Sequence, residues 1–472
     1  MEGFLGLDVG TSNVKATIFD EHGTPLVESR RHCELNVEGG AVEQSTDDLW
    51  RAASEAMREC VRGSNSENCV ISGVGVSGQT NGLIPIDGKG RPLHPCITWL
   101  DMRGVEQANR VKEVLGEREI NKKTGIVANP FYLLFKIMWL KETRPKIFEE
   151  SAVFLQPKDF VVLKLTGECI SDIPLASTAG FIDLNKRDYA LDLLNEVGIP
   201  IDKIPRLVNS SDVVGEIEAG MLKNLRLRHR VPVVAGSGDS IANMIGSGVV
   251  DEGLAYNKMA TASDVATCIN KPAVDWDCRL ATYVSPIDGK WMMIGGSSGG
   301  GICLQWFGDN FAERQVRKSR KSRLSPTALL EDEAEKAEAG SRGLIFLPYL
   351  KGERSPIWDP SSKGLFFGIT LEHQRRHFIR AILEGVSFSV RQRIEVMERA
   401  LGVDLHEMRV VGGWMRSRLY KRILVRLQVD RPTFLWQFRA GRASGSGKNV
   451  VGRLFASMIA MGRHVSLCEA SV

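Results

Sequence analysis

The sequence predicts an α/β fold built as two related halves, and three observations carry that prediction. Short β-type runs alternate with helical stretches, and the opening order of strand, strand, strand, helix, strand is an α/β arrangement. A hairpin pattern at the start, two apolar runs around a turn of small residues, recurs past the middle at 254–270. At 472 residues the chain exceeds what one core comfortably serves, so two domains are expected, 1–245 and 246–472.

In chain order, "GLDVGTSNVKATIFD" (6–20) joins runs at 4–9 and 14–19 through a turn of Gly, Thr, Ser and Asn. A third run covers 25–33, and a helix is expected over about 46–63, with Asp47 and Asp48 suited to its N-terminus. "VISGVGVSG" (70–78) reads as a strand, and 105–116, 130–143 and 145–150 read as helices, with Pro130 in a first turn. "VPVVAGSGD" (231–239) is a strand entering a glycine turn, and "LAYNKMATASDVATCIN" (254–270) is the second hairpin. "IGGSSGGG" (294–301) and "VVGG" (410–413) are further strand-to-glycine junctions, each followed by a helical pattern.

Composition narrows the function classes. No apolar run approaches the roughly 18 residues of a membrane span, and the N-terminus lacks a signal peptide's basic and apolar regions. Nine scattered cysteines without a CxxC pair indicate neither a disulfide framework nor a zinc site, and fit a reduced cytoplasm. Net charge is +4, but residues 409–472 hold twelve Lys/Arg against Asp430 and Glu469, so the preceding chain is mildly acidic. That basic tail lacks interleaved aromatics and any zinc or RNP-type motif, so neither nucleic acid nor a membrane is an expected partner.

The glycine junctions suggest a ligand. Glycine lets backbone approach closely, and successive N–H groups make an anion-binding concavity, to which Thr11 and Ser12 add hydroxyls. Asp8 behind such a turn suits a phosphate only if Mg²⁺ lies between them. An ordinary hairpin with an Asp cap is the alternative reading of the same residues. Asp239, in a glycine-flanked turn after a strand, is placed either as a general base or as an Asx-turn residue. Together the four junctions describe a cleft approached by backbone from both halves.

These stretches resemble the FGGY family of carbohydrate kinases, and within it the members that phosphorylate xylulose. "DVGTSNVK" is similar to the first phosphate motif, "GVSGQTNGLIPIDGKGRPLHPCITWLDMR" (75–103) to the sugar-side segment, and "AGSGDSIANMIGSG" (235–248) to the catalytic-Asp segment. "LPYLKGERSPIWDPSSKGLFFGI" (347–369) also follows the family, and Gly364–Glu384 fits its second signature. The first signature is partly kept, with Lys136 and Trp139 present and Leu133 where a small residue is usual. The resemblance covers about residues 3–432 and implies two ribonuclease-H-like domains, of the actin and hexokinase ATPase type, around a central cleft.

It also implies ATP and Mg²⁺ as cofactors and a small sugar as substrate, and leaves a homodimer open. Asp239 would take the proton of the attacking hydroxyl, and Asp8 would help hold Mg²⁺. Gly10, Thr11, Ser12 and Lys15 would face the phosphates, with Thr261 approaching them from the second domain. Gly296, Gly300, Gly412 and Gly413 would line the adenosine side, where a side chain would block the nucleotide. Gln79, Thr80, Asn81 and Asp101 are the candidates for the sugar. For Gln79 and Asn81 the alternative is loop organisation; for Asp101 with Arg103, a surface pair; Trp99 reads as core.

Several positions depart from the family. "GQTNG" replaces GQMHG, which opens the identity of the sugar to a ketopentose such as D-xylulose, gluconate, another ketose or a polyol such as erythritol. Ala260 stands for a turn glycine, where a positive φ or a close backbone approach would be obstructed, and Trp414 stands for a third glycine beside the expected adenosine pocket. These changes also admit a degenerate kinase that binds without turnover. After about Pro432 the family pattern stops; "GSGKN" fails as a P-loop, with Arg442 at the first glycine and Asn449 at the end. Such a change is what a shifted reading frame or truncated gene would produce.

Overall fold

The structure is a computed structural model that describes residues 1–64, 69–227, 229–312, 326–427 and 435–438. It divides into two units. The first comprises Met1–Gly248 with Tyr283–Trp291, and the second Val249–Thr282 with the described residues from Met292 onward.

In the first unit β1 (Glu2–Val9) and β2 (Asn13–Asp20) form the opening hairpin, and β3 (Pro25–His32) adds antiparallel to β2. β4 (Val70–Gly78) lies parallel to β1, and β6 (Pro232–Gly238) parallel to β4, with β5 (Val213–Glu216) antiparallel at the edge. The order is β5–β6–β4–β1–β2–β3. Helix α1 (Thr46–Ser64) covers β2 and β3 because Leu49, Ala52, Ala53, Ala56, Met57, Cys60 and Val61 recur at helical spacing and bury one face. Ser45 starts it, its Oγ accepting the Asp48 N–H at 3.2 Å, and Asp47 and Asp48 favour the helix N-terminus.

Helices α2 (Val105–Leu115), α3 (Leu133–Thr143) and α4 (Pro145–Glu150) follow, then α5 (Pro157–Thr166), α6 (Ile173–Thr178) and α7 (Asp239–Gly246). The helix expected over 130–143 begins only at Leu133. Upstream carbonyls are drawn elsewhere: Lys136 Nζ donates to Pro130 O at 2.8 Å and to Phe131 O at 2.6 Å. Asn81 Oδ1 accepts the Leu133 N–H at 3.1 Å, so a residue from another loop marks where the helix starts.

The second unit repeats the pattern. β7 (Leu254–Met259) and β8 (Ser263–Ile269) form the second hairpin, joined by β9 (Ala281–Val284), β10 (Trp291–Ser297), β11 (Glu407–Val411) and β12 (Leu435–Phe438). The order is β9–β10–β8–β7–β11–β12, with β11 parallel to β7 and β12 parallel to β11. Each sheet thus has a hairpin with two parallel strands beyond its first strand and at least one strand beyond its second; β5 extends the first sheet at its parallel edge, and β9 the second sheet at its other edge. That shared order is the duplication the two hairpins predict. Helices α8 (Gly301–Phe311) and α9 (Arg375–Leu401) pack in this unit. The "GSGKN" stretch, and the departure from family pattern after Pro432 apart from β12, lie outside the described residues.

Candidate active site

Three parallel strands of the first unit end at one level. In register, Val9 sits opposite Gly78, and Gly78 opposite Gly238. The residues that follow are Gly10, Gln79 and Asp239. Neighbouring strands lie about 4.8 Å apart, so these three tips fall within roughly 10 Å of each other. The carboxyl ends of parallel strands are where open α/β sheets take ligands. Glycine at 78 permits the close fit, since a Cβ there would meet Val9 O at 2.9 Å.

The first hairpin turn is tight. Gly10 N–H donates to Asn13 O at 3.1 Å, Ser12 is exposed, and Lys15 stands directly across from Asp8, its Nζ 3.5 Å from Oδ2. Thr11 turns inward. Its hydroxyl donates to Gln79 Oε1 at 2.8 Å and accepts the Trp99 indole N–H at 2.9 Å. Gln79 Nε2 donates to Gln44 Oε1 at 2.9 Å, and Gln44 Nε2 returns to Thr11 O at 2.9 Å. Each amide in this ring donates through its nitrogen and accepts through its oxygen, which fixes both amide orientations. Trp99, half-buried against the edge of Phe131, is a structural donor to the first hairpin.

The sugar-side candidates separate by exposure. Asn81 is 0% exposed, takes a left-handed φ of 62°, and spends its side chain on the Leu133 N–H, so it organises the loop. Thr80 is half-buried, and its methyl Cγ2 lies 2.6 Å from where a Gly238 Cβ would be, directly beside the Asp239 turn. Asp101 is buried: it accepts the Val42 N–H at 2.9 Å and the Arg103 Nε at 2.9 Å. Arg103 also reaches Glu43 at 2.6 Å and stacks 4.2 Å over the Trp139 ring. The Asp101–Arg103 pair is therefore an interior network, not a surface pair.

Lys136 is buried beside this network, and burial pushes its ammonium down to about 7, with the Asp101 charge opposing. An unfolded lysine holds its proton to about pH 10, so below pH 7 both states are charged and the burial cost is fully present. As pH rises above 7 the folded lysine deprotonates first, and stability grows by up to about 1.4 kcal/mol per pH unit. Lys136→Met lacks this term. Urea unfolding should therefore show the wild type gaining about 2 kcal/mol on the variant between pH 7 and 9. A constant difference would refute the shift.

In the second unit the Thr261 turn closes through Ala260 N–H to Ala262 O at 3.0 Å. Its carbonyls receive the first N–H groups of α8, Gly301 to Ala260 O at 2.8 Å and Ile302 to Thr261 O at 3.1 Å, leaving the Thr261 residue exposed. Ala260 is exposed and not among the residues with positive φ, so the backbone strain expected from losing a glycine does not arise. Trp414 packs edge-on against Tyr420, ring centroids 5.0 Å apart, with its Nε1 2.7 Å from where a Gly301 Cβ would be.

Two of the four glycines expected to spare a nucleotide, Gly300 and Gly412, are already required by the backbone around them, whereas at Gly296 an added Cβ meets only the movable end of a side chain. A Cβ at Gly296 would meet the Arg354 guanidinium at 2.8 Å, at Gly300 the Thr261 O at 2.8 Å, and at Gly412 the Met259 O at 2.1 Å. Gly413 alone of the four looks onto open space, with nothing within 4 Å. A buried polar cluster behind this turn escaped the sequence reading. Glu353 accepts from Ser297 Oγ at 2.7 Å and the Ser298 N–H at 2.8 Å, while the fully buried Arg393 donates to Ser263 Oγ at 2.9 Å. Its only signal was the "GER" within 347–369.

Among the described residues no group of three or more His, Cys, Asp or Glu is assembled for a metal, and no helix is long and apolar enough to cross a membrane. The FGGY N-terminal domain pattern matches residues 4–246, and the C-terminal domain pattern residues 262–426. The chain belongs to the FGGY family of carbohydrate kinases. It is 30% identical to the xylulose kinase of Bacillus subtilis over 418 residues, 88% of this chain and 81% of that one. It is 29% identical to the gluconokinase of the same organism over 421 residues, 89% and 82% of the two chains. Its fold is shared with the ligand-bound xylulose kinase of Lactobacillus acidophilus, at a TM-score of 0.87 and 23% identity, covering 99% and 91% of the chains. The gluconate kinase of that organism aligns at 0.86 and 23%, covering 99% and 90%. As an FGGY kinase the protein is a phosphotransferase acting on a sugar hydroxyl, and ATP is the donor that membership in the family brings.

Proposed function

We propose that the protein transfers the γ-phosphate of ATP to a hydroxyl of a neutral ketopentose such as D-xylulose, with Asp239 as general base. The observation that carries this reading is the common level of Gly10, Gln79 and Asp239 at three parallel strand ends. A base there lies next to both the phosphate turn and the half-buried Thr80. Phosphoryl transfer needs little beyond positioning and charge stabilisation. Asp239 accepts the hydroxyl proton, Thr80 and Gln79 orient the sugar, and the hairpin backbone at Gly10 with Lys15 meets the phosphates. In the second unit Thr261 and the open backbone at Gly413 hold the nucleotide. The donor set fits Mg²⁺, which commonly binds one or two carboxylates together with substrate phosphates and water. Asp8 would hold it, and the ion would neutralise developing phosphate charge.

The spent cations favour a neutral sugar over gluconate. Arg103 is committed to Asp101 and Glu43, and Lys136 to two backbone carbonyls, so neither serves a sugar carboxylate. Coupled ADP release over D-xylulose, other ketoses, polyols and gluconate tests this. The highest kcat/KM is expected for a ketopentose, and a higher value for gluconate overturns the assignment. ATP turnover that depends on sugar excludes the non-catalytic alternative. Thr80→Met should alter the ratio of kcat/KM between sugars by about tenfold or more, within the range of pocket discrimination, while the ATP KM stays within about twofold. Unchanged ratios would remove Thr80 from the sugar site.

A further inference from the structure

The bend before Asp239 is held by a buried ion cluster that the reaction as described does not use. Pairing of β6 with β4 slips between Val234 and Ser237, and Gly236 takes φ 73°, before register resumes at Ser237↔Ser77 and Gly238↔Gly78. A bulge of this kind re-aims the residues that follow it. Its freed backbone groups find partners outside the ladder. Ala235 N–H donates to Asp212 O at 3.0 Å, and Gly236 N–H to Ser210 O at 2.9 Å.

The Ala235 carbonyl accepts from Lys158 Nζ at 2.9 Å. That ammonium is fully buried and also forms ion pairs with Asp159, Oδ1 at 2.6 Å, and with Asp172, Oδ1 at 2.9 Å. Asp172 is fixed in turn by Ser210 Oγ at 2.9 Å and by the Leu175 N–H at the start of α6. Two residues before Lys158, Gln156 Oε1 accepts the Asn81 N–H at 2.6 Å, and its Nε2 donates to Leu175 O at 3.2 Å. Between them Pro157 Cγ lies 2.8 Å from where a Gly82 Cβ would be. One short stretch at the start of α5 thus grips both the strand leading to Asp239 and the loop carrying Thr80.

An interior ion cluster is seldom better for stability than apolar residues of similar volume. Its contacts here converge on backbone that aims two side chains of the proposed site. We propose that Lys158 and Gln156 are positioning residues with separate targets: Lys158 fixes the bulge that aims Asp239, and Gln156 fixes the loop that presents Thr80. The inference rests on the roles proposed above for Asp239 and Thr80.

Steady-state kinetics with D-xylulose and ATP test it. Misplacing a reacting group by about 1 Å can cost about a hundredfold, so Lys158→Met should lower kcat by at least about tenfold. Its KM values should stay within about twofold. Gln156→Met should instead raise the sugar KM, by about fivefold or more, with a smaller change in kcat. Asp172→Asn is the control: it weakens the cluster and lowers Tm, yet leaves Lys158 on Ala235, so kcat holds. If all three lose activity only in proportion to the fraction unfolded, with no split between kcat and KM, the cluster is structural and the proposal fails. Should Lys158→Met not fold, Gly236→Ala strains the bulge at its positive φ while leaving the cluster intact. A normal kcat there also overturns the proposal. Asp239→Asn separates the two levels. If it is fully active, the assignment of the base fails; if it is inactive while Lys158→Met is normal, only the positioning inference fails.

Discussion

Asp239→Asn is expected to lower kcat by at least about a hundredfold, the lower end of what general-base catalysis contributes. The substitution keeps size and hydrogen-bonding shape but removes the acceptor for the sugar proton. Asp239 is the first residue of α7, immediately after the strand end that pairs with Gly78, so its backbone is set by the sheet. Its carbonyl also accepts Asn243 Nδ2 at 2.7 Å, which the variant keeps. Nucleotide affinity should therefore change by less than about twofold, separating a chemical role from a binding one. Asp8→Asn gives the contrast. It breaks the cross-strand pair with Lys15 and should raise the Mg²⁺ concentration needed for half-maximal rate, whereas excess Mg²⁺ should do nothing for Asp239→Asn. An Asp239→Asn enzyme retaining over about half the wild-type kcat would make this a turn residue and end the proposed mechanism.

The parts of this molecule legible in its sequence are those written locally. The hairpin at 4–19, α1, β4 and the second hairpin each follow from periodicity and glycine punctuation within about twenty residues. Their recurrence was enough to expect a duplicated α/β fold. Contacts between distant residues left no such trace. Thr11 reads as a phosphate hydroxyl, yet its partners are Gln79 and Trp99, 68 and 88 residues away, and the ring closes through Gln44, in a short strand the pattern did not mark. Asn81 reads as a sugar ligand because it sits in a polar loop, but its left-handed backbone and its bond to Leu133 are tertiary facts. Ala260 shows the converse for backbone strain. A family glycine suggested a positive φ, whereas the turn present here closes without one. Lys158 lies in a short helix whose apolar residues are spread around its circumference, so no stripe sets a buried face apart from a solvated one. Only the bulge of β6 explains a lysine there.

Glycine itself carries two kinds of information, and the adjacent pair Gly412–Gly413 separates them. Gly412→Ala should be the most destabilising single change in the second unit's glycine turns. Its φ of 109° is one that L side chains rarely adopt, and the added Cβ would fall 2.1 Å from the Met259 carbonyl oxygen. That oxygen is backbone at the end of β7, so relief requires parting β7 from β11, which pair in parallel through Lys258↔Val411. Overpacking typically costs about 1–3 kcal/mol and a strained φ a further 1–3, so a loss of about 2–6 kcal/mol is expected in urea unfolding of the second unit. Gly413→Ala meets nothing within 4 Å and has no positive φ, so its unfolding midpoint should match the wild type. If its open side faces the nucleotide, the ATP KM should nevertheless rise by about fivefold or more while the sugar KM holds. Two stable, catalytically normal variants would mean that neither glycine is there for a ligand and that the close approach at Gly412 can relax. A stable Gly413→Ala with a raised ATP KM, beside an unstable Gly412→Ala, would place the nucleotide against residue 413 and assign residue 412 to packing.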